Sequence, residues 1–424
     1  MKETVKIGWV GVGRRANGML KTIFGDMHDV EITAICDIDE VALERGLNIT
    51  REKGRPDPIL TKNYQDLLDN PDIDAIIIMT PWLGRVDMAI EAMRAGKYVG
   101  IEVGSAYDLQ ECFNLVETYE ETKIPVMMLE NCCYGRKEMM ALNVSEQGLF
   151  GEIVHCDGAY GHHLEDEELF KEIDTKKGSQ GVSHYRIRDY ILRNCDQYAT
   201  HELGPISKVL KLNRGNKMLT LSSIASKSRG LKQYAKEHFG ADNYYAQVDY
   251  KQGDIVSTTI LCAGGETIHL CLDTTLPRSY YSRNFTVRGT KGLYAEERHS
   301  LYFDFMDGGP QNQENEEEMF KTYDHPLHKE YVQLGEKAGH GGMDWLVGRA
   351  FIEAVKNGTN TPIDVYDTAL WLSIGPLSEA SINKGGAPIE VPDFTKGKWI
   401  NREPVVEGKY CLDKVCVDES VKIY

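Results

Sequence analysis

The chain has 424 residues, 42% hydrophobic and 27% charged, enough for two or three domains with sizeable cores. Its formal net charge is −17 with no basic stripe to offset it, which argues against a nucleic-acid or anionic-membrane partner. MKETVKIG runs straight into an apolar segment without a signal-peptide core, no later span reaches transmembrane length, and the ten cysteines show no regular pairing; a cytoplasmic protein with reduced thiols is the expectation.

Val5, Ile7, Trp9 and Val10 predict a first strand buried on both faces. Gly11, Gly13 and Ala16 follow on the spacing of a G-x-G-x-x-G/A turn. There the first glycine allows the tight turn, the second admits a pyrophosphate, and the small third residue lets the next helix, predicted over 17–24, sit close to the strand. That helix would aim its first amides at phosphate. A second strand over 31–36 ends at Asp37, about 20 residues beyond the turn, where an acid reads ribose hydroxyls. Asp37 could instead only cap a helix over 40–53, yet strand, turn, helix, strand and acid in this order predict dinucleotide binding. The acid favours NAD over NADP, and the neighbouring Arg14 and Arg15 keep the phosphorylated cofactor open.

Alternation of strands and helices continues. Strands are predicted over 73–79, 98–102 and 125–129, with helices over 85–95 and 109–122 between them. Parallel α/β sheets bind ligands at strand carboxyl ends, so Thr80, Pro81, Glu102 and Glu130 point toward one crevice. The pattern changes after Asn131, dividing the chain into 1–131 and 132–424. A helix over 136–147 leads to a strand over 153–160, which ends in Tyr160-Gly161-His162-His163. The acidic run 165–168 reads as a solvated helix start, and 178–198 is irregular and rich in Arg and Tyr. A helix over 200–212 precedes strands at 219–224, 243–252, 254–262, 267–274, 284–288 and 292–296, a run that predicts one large open antiparallel sheet. Val256, Thr258 and Ile260 would then lie on a broad face needing cover, which predicts a homodimer or homotetramer. The polar segment 307–318 reads as a surface loop or lid, followed by helices over 345–357 and 364–384 and an extended tail. The fold class is α/β: an N-terminal Rossmann-type domain and a C-terminal α/β domain built on the open sheet.

This order resembles the Gfo/Idh/MocA superfamily of nicotinamide-dependent sugar oxidoreductases. Those dehydrogenases carry Glu-Lys-Pro after the fifth strand, and the lysine helps move the proton off the substrate hydroxyl. Here the same place reads Glu102-Val103-Gly104. Further motifs are similar to glycoside hydrolase family 109, NAD-dependent α-N-acetylgalactosaminidases: Thr80-Pro81-Trp82, Glu130-Asn131, Tyr160-x-His162, Tyr198-x-Thr200-His201-x-x-Gly204-Pro205, Asn213-Arg214-Gly215, Gly339-His340-Gly341-Gly342-Met343-Asp344 and Pro392-Asp393-Phe394. Arg85 and Glu202 depart from that pattern, standing where a histidine and a small residue are common.

The resemblance implies NAD held by Gly11, Gly13, Arg14, Arg15, Asp37, Thr80, Pro81, Trp82, Glu102 and Asn131. It implies Tyr160 as the base at sugar C2 and His201 as the carrier of the C3 hydroxyl proton, with Glu130, His162, Arg186, Tyr198 and either Tyr281 or its neighbour Tyr280 positioning the sugar. Tyr and His suit proton transfer because burial and neighbours tune their pKa values. Each could equally be structural: His201 a helix-start residue, Arg186 half of a surface pair, His163 the ring that matters in place of His162. His162, His163 and Asp166 lack recognised metal-ligand spacing, so no metal is expected. Three readings stand: an NAD-dependent glycosidase acting on a small-molecule glycoside, a sugar or cyclitol dehydrogenase, and a non-catalytic NAD-binding protein.

Overall fold

The computed structural model describes residues 2–165, 169–170, 184–306, 316–333, 340–405 and 408–415. The N-terminal domain alternates β1 (Val5–Val10), α1 (Arg14–Thr22), β2 (Val30–Cys36), α2 (Glu40–Glu52), β3 (Ile59–Thr61), α3 (Gln65–Leu68), β4 (Ala75–Ile78), α4 (Arg85–Arg94), β5 (Tyr98–Ile101), α5 (Leu109–Thr122) and β6 (Val126–Met128). Every strand pairing in this sheet is parallel and the order is β3-β2-β1-β4-β5-β6. Helices cover both faces of such a sheet, so its central strands are apolar throughout. Ala75, Ile76, Ile77 and Ile78 of β4 are all fully buried, with Trp9 of β1 beside Ile77. The order reverses between β1 and β4, and the crevice beyond their carboxyl ends is where this fold takes a dinucleotide.

The C-terminal domain contains α6 (Arg136–Glu146), β7 (Ile153–Gly161), α7 (Arg186–Leu192), α8 (Thr200–Val209), β8 (Met218–Ala225), α9 (Gly230–Phe239), α10 (Tyr244–Gln247), β9 (Ile255–Cys262), β10 (Thr267–Asp273), β11 (Thr286–Gly289), β12 (Gly292–Ala295) and β13 (Ser300–Phe303). It continues through α11 (Glu316–Tyr323), α12 (Pro326–Gln333), α13 (Met343–Asn357), α14 (Val365–Leu372), α15 (Ile374–Asn383) and β14 (Ile389–Glu390). Its eight-stranded open sheet runs β13-β12-β11-β7-β10-β9-β8-β14. The sheet is mixed: β7 and β10 are parallel, and every other pair is antiparallel. Between β7 and β10 the chain passes through α7, α8, β8, α9, α10 and β9, and that long connection permits a parallel pairing a hairpin cannot make.

Several local expectations are corrected. Residues 243–252 hold no strand; Asn243 accepts a hydrogen bond from the Tyr245 amide and caps α10 instead. The segment 364–384 is two helices meeting at Ser373. α1 begins at Arg14, directly out of the glycine turn. Part of 178–198 is the helix α7. Glu165 is buried beside His163 rather than solvated (Nε2 to Oε2 3.1 Å), and the rest of that acidic run, 166–168, lies outside the described residues. Residues 307–315 and Gly339 also lie outside them, while 316–318 open α11.

The exposed face of the large sheet is the opposite of the one expected. Val256, Thr258 and Ile260 are fully buried, under a layer that includes α15, whose Ser381 hydroxyl accepts from the Ser223 amide of β8. With side chains alternating at a period of two, the outward residues are Ser257, Thr259 and Leu261, next to Ile224 of β8. Among the described residues, no helix is long and apolar enough to cross a membrane.

Candidate active site

At the first crevice, Gly11 has φ +86, and a Cβ there would meet the Met79 carbonyl at 3.1 Å, so the turn requires glycine. A Cβ on Gly13 would meet nothing within 4 Å, leaving open space beside the first amides of α1. Asp37 accepts from the Val12 amide (2.8 Å) and the Asp39 amide (2.9 Å), which fixes its carboxylate across the mouth of the turn. Turn, space and acid fit the diphosphate and ribose of a dinucleotide.

Around the same crevice stand Thr80, Pro81 and Trp82 beyond β4, Glu102 beyond β5 and Asn131 beyond β6. The buried Arg85 guanidinium donates to the Thr80 carbonyl (2.6 and 3.1 Å) and the Val103 carbonyl (2.8 Å), tying the ends of β4 and β5 together. Trp82 is also buried and its indole N–H donates to the Val103 carbonyl at 3.2 Å. Gly104 has φ +147, and a Cβ on it would fall 2.1 Å from the Trp82 nitrogen. The indole therefore leaves no room for a larger residue at 104. Arg15 is directed to Asp344 and Glu102 and Asn131 to Asp344, as developed below.

Facing these groups, β7 delivers Tyr160 and α8 delivers His201. Tyr160 is buried, stacks on Tyr198 with ring centroids 4.3 Å apart, and presents an edge-on contact to His201 at 5.5 Å. His162 and Tyr281 complete the cluster, 5.2 Å apart and 5.7 and 6.3 Å from Tyr160. Tyr281 is thus the member of its pair in the cluster; Tyr280 instead lies under the Arg278 guanidinium. Arg186, at the start of α7, sits over Tyr198 (4.6 Å) and Trp82 (5.4 Å) and so bridges the two rings. Tyr185, which no sequence motif singled out, packs edge-on against Trp82 at 5.8 Å.

His201 Nδ1 lies 2.7 Å from Glu130 Oε1, and the Cys132 amide donates to the same oxygen at 3.0 Å. Glu130 is fully buried. Burial alone would raise its pKa, but the facing His201 and the amide outweigh that and hold it below the usual carboxylate value. With an ionised Glu130 accepting, Nδ1 is assigned as the donor, which leaves Nε2 as the other ring nitrogen. Glu130, Cys132 and His201 place one ligand atom each within 4.8 Å of one another. Burial pushes the Cys132 thiol well above its ordinary value, so the trio is a hydrogen-bonded acid–imidazole unit with a neutral thiol beside it.

Two acids behind this unit were not anticipated as a pair. Glu202 is fully buried against Gly158 of β7, and both its oxygens lack a hydrogen-bond partner among the described residues. Burial, then the nearby Asp196, pushes its pKa well above the ordinary carboxylate value. Asp196 is likewise buried and pushed up to about 7. Only Glu202 carried a sequence signal, as the bulky residue after His201.

Residues 134–401 match the family model described as the C-terminal domain of glycosyl hydrolase 109, and residues 5–129 match that of the oxidoreductase family with an NAD-binding Rossmann fold. An alpha-N-acetylgalactosaminidase of Tannerella forsythia is 37% identical over 415 residues, covering 94% of this chain and 88% of that protein. A glycosyl hydrolase family 109 protein of Stenotrophomonas maltophilia is 38% identical over 425 residues, covering 96% and 93%. Among solved structures, levoglucosan dehydrogenase with NADH and levoglucosan aligns over 92% of this chain and 100% of its own at a TM-score of 0.66 and 16% identity. Scyllo-inositol dehydrogenase from Lactobacillus casei with NAD(H) and scyllo-inositol aligns over 92% and 99% at 0.61 and 15%. Those two likenesses establish the fold. The chain is a glycosidase belonging to glycosyl hydrolase family 109, built on the NAD-binding Rossmann fold of the Gfo/Idh/MocA oxidoreductases.

Proposed function

We propose that this protein hydrolyses α-N-acetylgalactosaminides or closely related glycosides by elimination and addition, with NAD recycled within each turnover. Residues 1–131 hold the cofactor and 132–424 shape the sugar site. The observation that carries the reading is Tyr160 stacked on Tyr198 and edge-on to a His201 whose other nitrogen is bound by the buried Glu130. Bound NAD⁺ supplies a hydride acceptor for sugar C3 and later the donor that restores it. His201 Nε2 takes the C3 hydroxyl proton, with Glu130 orienting the ring and balancing the charge that forms. Oxidation at C3 acidifies the C2 hydrogen, which Tyr160 removes as the C1–O bond breaks and the departing oxygen takes a proton from solvent. Water then adds at C1 and gives one proton back to solvent, Tyr160 returns a proton to C2, and His201 returns one to the C3 oxygen. Arg186, Tyr198, His162 and Tyr281 orient the ring and narrow the access of water. Eight of the nine described cysteines are buried, and a cytoplasmic setting completes the reading.

The test is isotopic. Hydrolysis in heavy water is expected to place deuterium at C2 of the released sugar. Tyr160→Phe is expected to lower turnover by roughly 10²- to 10⁴-fold, abolish the exchange and spare NAD binding. Sugar released with its C2 hydrogen wholly retained argues for direct displacement, which needs two carboxylates flanking the bond at about 5–10 Å. Net NADH production from a free sugar would favour the dehydrogenase reading, and full activity in NAD-free protein would end the proposal.

A further inference from the structure

The start of α1 carries an electrostatic problem. Arg14 and Arg15 occupy its first turn, which has no acid, and Gly13 supplies no side-chain cap. Cations at the positive end of a helix are disfavoured. For Arg15 the solution comes from 329 residues further along the chain. Its Nη1 and Nη2 donate to the two oxygens of Asp344 at 2.7 and 2.6 Å, a bidentate fork, and its Nε lies 3.6 Å from Glu102 Oε1.

Asp344 does more than neutralise this arginine. Asn131 Nδ2 donates to its Oδ1 at 2.7 Å, and His340 Nδ1 lies 2.8 Å from its Oδ2. The carboxylate is 3% exposed and belongs to the first turn of α13, where the helix amides favour an anion. One buried acid of the C-terminal domain thus grips two residues of the cofactor crevice: Arg15 beside the glycine turn and Asn131 at the end of the sheet. Arg15 is held in place before any phosphate arrives, and its geometry depends on the other domain.

We propose that Asp344 is a positioning residue for the dinucleotide, holding Arg15 and Asn131 so that the cofactor site is complete only when α13 is docked against it. Because binding linkage is reciprocal, bound cofactor should in turn tighten that docking. A clamp of this kind suits a cofactor that is regenerated in place and need not leave between turnovers. The inference rests on the reading of the crevice as an NAD site.

The test uses the full chain. NADH release is followed by fluorescence after a chase with excess NAD⁺, NAD⁺ affinity by calorimetry, and melting temperature with and without NAD⁺. Asp344→Asn is expected to release NADH at least tenfold faster and weaken NAD⁺ at least tenfold. It should shrink the NAD⁺-induced rise in melting temperature. Asp344→Glu, which keeps the anion, should recover most of the affinity. Unchanged NAD⁺ affinity and release in Asp344→Asn, with a melting temperature lowered equally in both conditions, would reduce the residue to a structural one and overturn the proposal. Should Asp344→Asn not fold, Arg15→Gln carries the test at a side chain that is 35% exposed: it must weaken NAD⁺ at least tenfold, and unchanged affinity overturns the clamp. Wild-type protein that binds neither NAD⁺ nor NADH would defeat the cofactor reading itself. Wild-type binding that Asp344→Asn leaves intact defeats only this inference.

Discussion

Replacing Asp196 by Asn should stabilise the protein above neutral pH and change little in acid. The Asp196 carboxyl is 1% exposed; Oδ2 accepts from the Thr258 hydroxyl at 3.3 Å, and Oδ1 has no partner among the described residues. Burial raises its pKa from 3.8 to about 7. Below pH 4 the acid is protonated whether the chain is folded or not, so it carries no penalty. Between pH 4 and 7 the unfolded chain gives up the proton while the folded chain keeps it, and stability falls by about 1.4 kcal/mol per pH unit. Over a shift of about 3 units the full cost is about 4 kcal/mol, reached above pH 7. Asparagine has the shape of the neutral acid and cannot ionise. Urea unfolding of both proteins at pH 4.5, 6 and 8 should give a difference that grows from about 1 to about 4 kcal/mol in favour of the variant. Comparing the two chains cancels the titrations they share, apart from that of Glu202, which the Asp196 charge itself pushes up. A variant that is less stable than wild type by the same amount at all three pH values would show that Asp196 is an ordinary polar contact.

Glu130→Gln should lower kcat roughly 10- to 150-fold, the equivalent of a charge-assisted hydrogen bond worth about 1.5–3 kcal/mol, with NAD⁺ binding unchanged in calorimetry; a loss confined to NAD⁺ affinity would place Glu130 on the cofactor instead. Asp37→Ala should weaken NAD⁺ by about 1–3 kcal/mol and NADP⁺ by less, and equal losses in titration would count against its ribose role. The outward face of the large sheet leaves Leu261 42% and Ile224 66% exposed. We expect a homo-oligomer that uses this face, so light scattering should report a dimer or larger species at micromolar concentration and Leu261→Lys should shift it toward monomer. A wild-type monomer mass would refute that expectation.

What could be read from the chain alone followed where local pattern and tertiary demand agree. The β1 run, the glycine turn and Asp37 are specified within 37 residues, so the Rossmann half was legible apart from the short β3 and α3. The large sheet was legible as a set of strands but not in its face or in the β7–β10 pairing. Alternation identifies two faces without saying which one the helices will cover, and Val256, Thr258 and Ile260 went to the covered side. A parallel partner depends on crossovers that no local spacing records. The segment 243–252 is rich in β-formers, and the Asn243 cap overrode them. Within the site, residues in compact motifs converged as expected. Tyr185, Asp196 and the Asp344 clamp did not stand out, because their partners are brought near only by folding.

The departure at Glu102-Val103-Gly104 connects these levels. A lysine there is the proton carrier of the related dehydrogenases, and its loss reads, in the sequence, as a missing part. In the structure the place is taken. Trp82 packs on Gly104 with no room for a Cβ and donates to the Val103 carbonyl, while Arg85 donates to that same carbonyl. The indole then packs against Tyr198 at 6.0 Å, and Tyr198 stacks on Tyr160. The packing on Gly104 thus continues into the aromatic wall on which Tyr160 rests. On the proposed mechanism, proton transfer has moved from β5 to β7 and α8, onto a tyrosine and an imidazole that face the sugar from the other side of the crevice. That relocation suits the chemistry: a dehydrogenase moves one hydroxyl proton, whereas elimination must also move a carbon-bound one and so requires a second base.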